Sequence, residues 1–124
     1  MQDFQKLNVW EKSHRLAMDI YRVSGGFPRT DGLALTSQLR RAALSVPTNI
    51  AEGAGKVGDR EFRRFLQIAM GSASETKYHL QVARELHLIN EGTYLDLFER
   101  TSEVRRMLTG LIKCVTPRAE PNPK

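Results

Sequence analysis

From Asp59 onward the chain places Phe62, Leu66, Ala69, Ala73, Thr76, Leu80, Ala83 and His87 at alternating spacings of four and three residues. A row with that period lies along one side of an α-helix and is the packing seam of bundles and coiled coils. No proline interrupts it before Ile89, and Asp59 is a suitable N-cap, so the spacing predicts a long helix from Asp59 to about Ile89. A helix of that length with one apolar stripe needs partners, which constrains the fold more than any other feature of the sequence.

The rest of the chain supplies them. Val9, Ser13, Leu16, Ile20 and Val23 predict a first helix from about Leu7 to Ser24, stopped by Gly25-Gly26-Phe27-Pro28. Leu35, Leu39, Ala42, Ala43, Val46 and Ile50 predict a second, from Asp31 or Thr36 to Gly53, with a kink expected at Pro47. Leu97, Thr101, Val104, Leu108, Leu111 and Val115 predict a fourth, starting near Asn90 to Thr93 and ending before Thr116-Pro117. No segment alternates with period two for long enough to predict a strand. The expected architecture is all-α: an antiparallel up-down-up-down four-helix bundle over residues 1–116, with a disordered proline-rich tail at 117–124. At 124 residues there is room for one domain.

Chemistry is sparse. One cysteine excludes an internal disulfide and a multi-cysteine metal site, and Cys114 borders the apolar stripe of the fourth helix, where core packing is expected. His14, His79 and His87 are too scattered for a common metal. Gly53-Ala54-Gly55-Lys56-Val57-Gly58 fits a dinucleotide fingerprint letter for letter. A helix precedes it instead of a strand, so it reads as an interhelical connection. Glu52 and Glu75 sit on different helices and read as contacts, and the serines lack a His and Asp arrangement. The expectation is a protein with no catalytic residues, no metal and no cofactor. The first ten residues contain no signal-peptide run and no stretch approaches about 18 apolar residues, so the expected location is the cytoplasm, away from membranes.

Two surfaces stand out. With Phe62 at 0° and about 100° per residue, Gly71, Tyr78, Val82 and Ile89 fall near 160–200°, and Ile68 and Leu86 near 240°. That side faces away from the bundle, yet it is apolar and holds a glycine in mid-helix. The pattern predicts a second packing face, simplest as a homo-oligomer interface at Ile68, Gly71, Glu75, Tyr78 and Val82. The second surface is charged. Nineteen Lys and Arg oppose fourteen Asp and Glu, a net charge of +5. In an up-down bundle Lys6, Lys12, Lys56, Arg60, Arg63, Arg64, Arg106, Lys113, Arg118 and Lys124 gather at one end, against Asp3, Glu11, Glu52, Asp59, Glu61 and Glu120. Arg60, Arg63 and Arg64 lie in a helix's first turns, where the macrodipole disfavours cations. Arg41, Ser45, Thr48 and Glu52 share a polar face of the second helix, and Arg40 lies nearer its stripe. Arg40, Arg41, Lys56, Arg60, Arg63 and Arg64 are therefore the candidate nucleic-acid ligands. They suit phosphate contact better than base reading, because aromatic residues are only 7%.

The strings Leu35-Thr36-Ser37-Gln38-Leu39-Arg40-Arg41-Ala42-Ala43 and Ser45-Val46-Pro47-Thr48-Asn49-Ile50-Ala51-Glu52-Gly53 resemble the signature of four-helix-bundle proteins encoded in intervening sequences of bacterial large-subunit ribosomal RNA genes. Phe65-Leu66-Gln67-Ile68-Ala69-Met70-Gly71-Ser72-Ala73-Ser74-Glu75 resembles that family's third-helix motif, and Phe4, Leu7, Val9 and Trp10 its opening. The chain departs from the pattern at Ala34, Val46, Lys56, Gly58-Asp59 and Thr76-Lys77. The resemblance implies a homopentamer with a basic centre. The accessory variability determinant of diversity-generating retroelements is similar to these proteins. It implies a non-enzymatic accessory protein that binds nucleic acid, RNA before DNA, and assists a reverse transcriptase. A scaffold that binds protein and no nucleic acid is the alternative.

Overall fold

The computed structural model describes residues 3–56 and 58–115, and their side chains except those of 30–33. A short 3-10 turn at Phe4–Lys6 precedes four helices: α1 (Asn8–Ser24), α2 (Arg29–Ala54), α3 (Asp59–Glu85) and α4 (Glu91–Val115). The described residues contain no strand. They form an all-α four-helix bundle. Each helix packs on its sequence neighbours and α4 returns to α1, while the diagonal pairs α1/α3 and α2/α4 bring no described Cα atoms within 8 Å. The expected tail at 117–124 lies outside the described residues.

Cross-helix pairs show how neighbours run. Ser45 meets Ser72, and Gly53 meets Phe62 and Phe65, so α2 and α3 pass in opposite directions. Met70 meets Thr109, Lys77 lies over Phe98, and Arg84 over Tyr94, which sets α4 against α3 in the same sense. Lys12 pairs with Glu103 and Asp19 with Arg100 across α1 and α4. The α2/α3 turn, the start of α1 and the end of α4 therefore share one end of the bundle.

The core sits where the seams meet. Ile20, Leu39, Ile50, Leu66, Leu80, Leu97 and Leu108 are fully buried, and each such side chain stabilises the fold by about 1.5–3 kcal/mol. Ala69, Ala73 and Ala83 lie among them with no exposed surface. The polar members of the seams cost little, because each satisfies itself on its own helix. Thr76 donates to the Ser72 carbonyl at 2.8 Å and Thr101 to the Leu97 carbonyl at 2.7 Å. Ser13 and Ser24 do the same at the Trp10 and Tyr21 carbonyls. Pro47 lies inside α2, which is helical from Arg29 to Ala54.

Helix ends depart from the expectations in instructive ways. The N-cap position of α3 is Gly58, at φ 96°, and Asp59 is the first helical residue. Its carboxylate favours the helix through the macrodipole and makes no cap hydrogen bond. The helix also stops at Glu85, short of Ile89. Leu88 donates to the Ala83 carbonyl and His87 to that of Arg84, a Schellman closure with His87 left-handed at φ 60°. That removes His87 from the seam and leaves it exposed, while Ile89 turns back against the core. Asn90 then caps α4, its side-chain oxygen accepting from the Thr93 amide at 2.8 Å. Cys114, expected in the core, is exposed.

Asp19 joins α1 to α4. It accepts from Arg100 at 2.8 Å and from Arg22, and Arg100 also reaches Asp96. The hydrogen bond from Arg100, then that from Arg22, holds the Asp19 carboxyl below the usual carboxylate range. A depressed folded-state pKa contributes stability that is present above the unfolded value and lost as pH falls through the folded one. Asp19→Asn should therefore destabilise the fold by about 0.5–1 kcal/mol at neutral pH, a partly exposed pair being worth no more. Urea titrations of both proteins should converge as pH falls below the usual carboxylate range and Asp19 is protonated.

Candidate functional site

The end of α2 and the start of α3 are fixed by the absence of a side chain. A Cβ on Gly53 would stand 2.7 Å from the Phe65 Cβ and 3.3 Å from the Phe62 carbonyl oxygen. Glycine alone allows this approach. Two turns earlier, Ser45 and Ser72 share a hydrogen bond at 2.8 Å across the same pair of helices. Asn49 donates to the Ser45 carbonyl at 2.8 Å and to its hydroxyl at 2.9 Å. Ser45, Asn49, Gly53 and Ser72 thus hold α2 and α3 in register and position the charged side chains around them.

Arg40 and Arg41 are adjacent but differently placed. Arg40 donates from Nε to the Ser24 hydroxyl and from Nη2 to the Tyr21 carbonyl, both at 2.8 Å, and its guanidinium lies 4.8 Å from the centroid of the Tyr21 ring. It closes the C-terminal end of α1, where the macrodipole favours a cation. Arg41 is exposed and has no hydrogen bond or ion pair among the described residues. Both line a shallow groove on the outer side of α2 with Thr36, Ser37, Ser45, Thr48, Leu44 and Tyr21. Among the described residues no carboxylate lines it.

Lys56 and Arg64 both lie over Phe65, at 5.4 and 4.7 Å from its ring centroid, so two cations share one aromatic ring at the α2/α3 turn. Arg64 also meets Glu61 at 3.5 Å. Arg60 is exposed in the first turn of α3, and Arg63 is half-buried, its Nε buried without a partner among the described residues. The charged end is less one-sided than the sequence tally. Glu103 takes Lys12 at 3.4 Å and Glu99 takes Arg106 at 3.1 Å, two acids from the middle of α4 that the tally omitted. Arg118, Glu120 and Lys124 lie outside the described residues.

The outer side of α3 is apolar. Ile68, Tyr78 and Leu86 are 40, 62 and 53% exposed, three of the five large hydrophobic residues on the described surface. A Cβ on Gly71 would meet nothing within 4 Å. Val82 is half-buried, and Glu75 is exposed and 3.2 Å from His79. The six candidate ligands form no single cluster: Arg40 and Arg41 lie along α2, and the other four surround the α2/α3 turn. Sequence reasoning did not single out Arg105, whose Nε is also buried without a partner among the described residues. Nothing in a helical-wheel pattern marks it. Among the described residues no three His, Cys, Asp or Glu side chains come together to hold a metal. None of the described helices is long and apolar enough to cross a membrane.

The fold and surfaces define an all-helical bundle with an apolar strip on one helix and cationic patches beside it. The chain belongs to the 23S rRNA-intervening sequence protein family, whose model matches residues 5–110. It is similar in fold to a protein of unknown function from the S23 ribosomal protein family of Bacteroides thetaiotaomicron, solved at 1.70 Å resolution. The TM-score is 0.77 at 24% identity, covering 85% of this chain and 95% of that one. No curated protein matches the chain.

The Gly53 contact generates a direct expectation. Gly53→Ala should lower stability by about 1–3 kcal/mol despite the better helix propensity of alanine, because the overlap with Phe65 is against a Cβ rather than a flexible chain end. Thermal melting followed by circular dichroism checks it, and a variant as stable as wild type would contradict the close approach.

Proposed function

We propose that this protein is a non-enzymatic, homo-oligomeric nucleic-acid-binding accessory protein that engages phosphates through Lys and Arg. The observation that carries this reading is the α2 groove. Two arginines and the hydroxyls of Thr36 and Ser37 line it, the hydroxyls of Ser45 and Thr48 being engaged with Ser72 and the Leu44 carbonyl, and no carboxylate among the described residues lines it, so an anion entering it meets cations and two hydroxyl donors. The cation pair on Phe65 extends the basic surface toward the α2/α3 turn. Because Arg40 is committed to α1, Arg41 is the groove's working ligand and Arg40 its support.

RNA is favoured over DNA by the family's genetic setting, which its description carries. The resemblance to the accessory variability determinant supports a reverse transcriptase as the protein partner and a pentamer as the assembly. The apolar strip on α3 supports self-association: Gly71 leaves room for a neighbouring backbone, and Ile68, Tyr78, Val82 and Leu86 offer area to bury beside Glu75.

Fluorescence anisotropy with labelled single-stranded RNA should show binding at about 50 mM salt that weakens steeply by about 200 mM. Arg41→Glu with Lys56→Glu should make the salt dependence shallower by about 1.4 in log–log slope, two phosphate contacts at about 0.7 each, with helicity unchanged. Absence of RNA binding at the lower salt would contradict the reading. Self-association has its own variant. Gly71→Leu fits the isolated chain, where the new side chain meets open space. It should preserve the helicity of the chain, leucine being about 1 kcal/mol better than glycine in a helix, while dissociating the assembly in sedimentation velocity and losing the stability that association adds. A Gly71→Leu protein that sediments like an intact wild-type oligomer would remove α3 from the interface.

A further inference from the structure

On the seam between α3 and α4, where Arg63 lies at about the helical angle of the groove-lining Ser74 and Gln81, two arginines have a buried nitrogen without a partner among the described residues. Arg63 and Arg105 are half-buried, their Nε atoms have no acceptor, and neither side chain makes a hydrogen bond or ion pair among the described residues. A partly desolvated guanidinium without a counter-charge is costly, and a buried polar atom without a partner calls for one. Lys77 lies on the same seam, its Nζ 4.6 Å from the Phe98 ring centroid. Arg105, Lys77, Ser74, Gln81, Phe98 and Tyr78 line one groove, again without a carboxylate.

The nearby acids are engaged elsewhere: Glu61 with Arg64, Glu75 with His79, Glu99 with Arg106 and Glu103 with Lys12. Glu85 and Glu91 close the far end of the seam, held by Gln81 and Arg84. Arg105 stands opposite Ser74, which is eleven residues and roughly 16 Å along α3 from Arg63. A row of cations separated by hydroxyls and amides fits a repeating anion better than a single one. Tyr78 at the rim, 62% exposed, offers a face to an unpaired base.

We propose that the α3/α4 seam is a binding track for single-stranded nucleic acid, with Arg63, Arg105 and Lys77 taking backbone phosphates spaced along it. This rests on the nucleic-acid reading above and adds a second site to the α2 groove. Tyr78 stands on the border between the track and the apolar strip, so it is left intact in the test.

The test compares wild type with Arg63→Gln/Arg105→Gln/Lys77→Gln and with Arg41→Glu/Lys56→Glu. The probes are a fluorescein-labelled oligouridylate, an RNA duplex of equal length and a polyglutamate peptide. The triple glutamine variant should bind oligouridylate at least about tenfold more weakly, with a log–log salt slope shallower by about 2. Its melting temperature should match or exceed that of wild type, because two uncompensated charges are gone. Duplex binding should change less. If the triple variant binds oligouridylate as wild type does while Arg41→Glu/Lys56→Glu loses it, the track is overturned and the nucleic-acid reading stands. If wild type binds neither RNA, both fall. If the triple variant loses polyglutamate and retains oligouridylate, the seam is a site for an acidic protein and the proposal is wrong. Should the triple variant fail to fold, Arg105→Gln alone carries the comparison, with a salt slope shallower by about 0.7 expected and an unchanged slope overturning the track.

Discussion

The arrangement of this molecule depends on a methyl group that is absent. At Gly53 the last turn of α2 presses against Phe62 and Phe65 of α3, closer than any Cβ would permit. That contact sets the spacing of two long helices, and the Ser45–Ser72 hydrogen bond sets their register. Alanines at 69, 73 and 83 then let the seam of α3 sink to the centre of the bundle. Once α3 is fixed in this way, its opposite side must face outward, and so must Ile68, Gly71 and Tyr78. The apolar strip follows from the packing of the core.

The same contact explains why signature residues and ligand candidates interleave. Ser45, Gly53 and Ser72 couple the helices, Asn49 holds Ser45, and the neighbouring side chains of Arg41, Thr48 and Glu52 are left to solvent. Helix-coupling and solvent-facing positions alternate along α2 with the helical period. Arg40 shows how fine the division is. One residue from Arg41, it is turned inward to finish α1, and its charge serves the fold.

Much of this was legible in the sequence because helical period is a strong signal. The seam residues of all four helices from Val9 to Val115 are buried or half-buried with one exception, His87. That residue continues the spacing by letter, but a Schellman closure ends the helix two residues before it. Asp59 looked like a cap because aspartate usually is one, yet Gly58 takes the position with a backbone angle that favours glycine. Cys114 shows that a residue bordering a stripe can still face water. The charged surface was the least legible part. Counting cations by bundle end missed Glu99 and Glu103, which lie a turn or more away in sequence and reach Arg106 and Lys12 through long side chains. It could not reveal that Arg63 and Arg105 are left uncompensated, since that depends on which acids other residues have already taken.

One side of α3 is buried in its own bundle, and the other is the one we propose to meet another copy. Native mass spectrometry of the untagged chain across micromolar concentrations tests this most directly. The account predicts one dominant species with the mass of five protomers, persisting on dilution through that range. A single protomer at every concentration would contradict it, leaving the outer side of α3 in water.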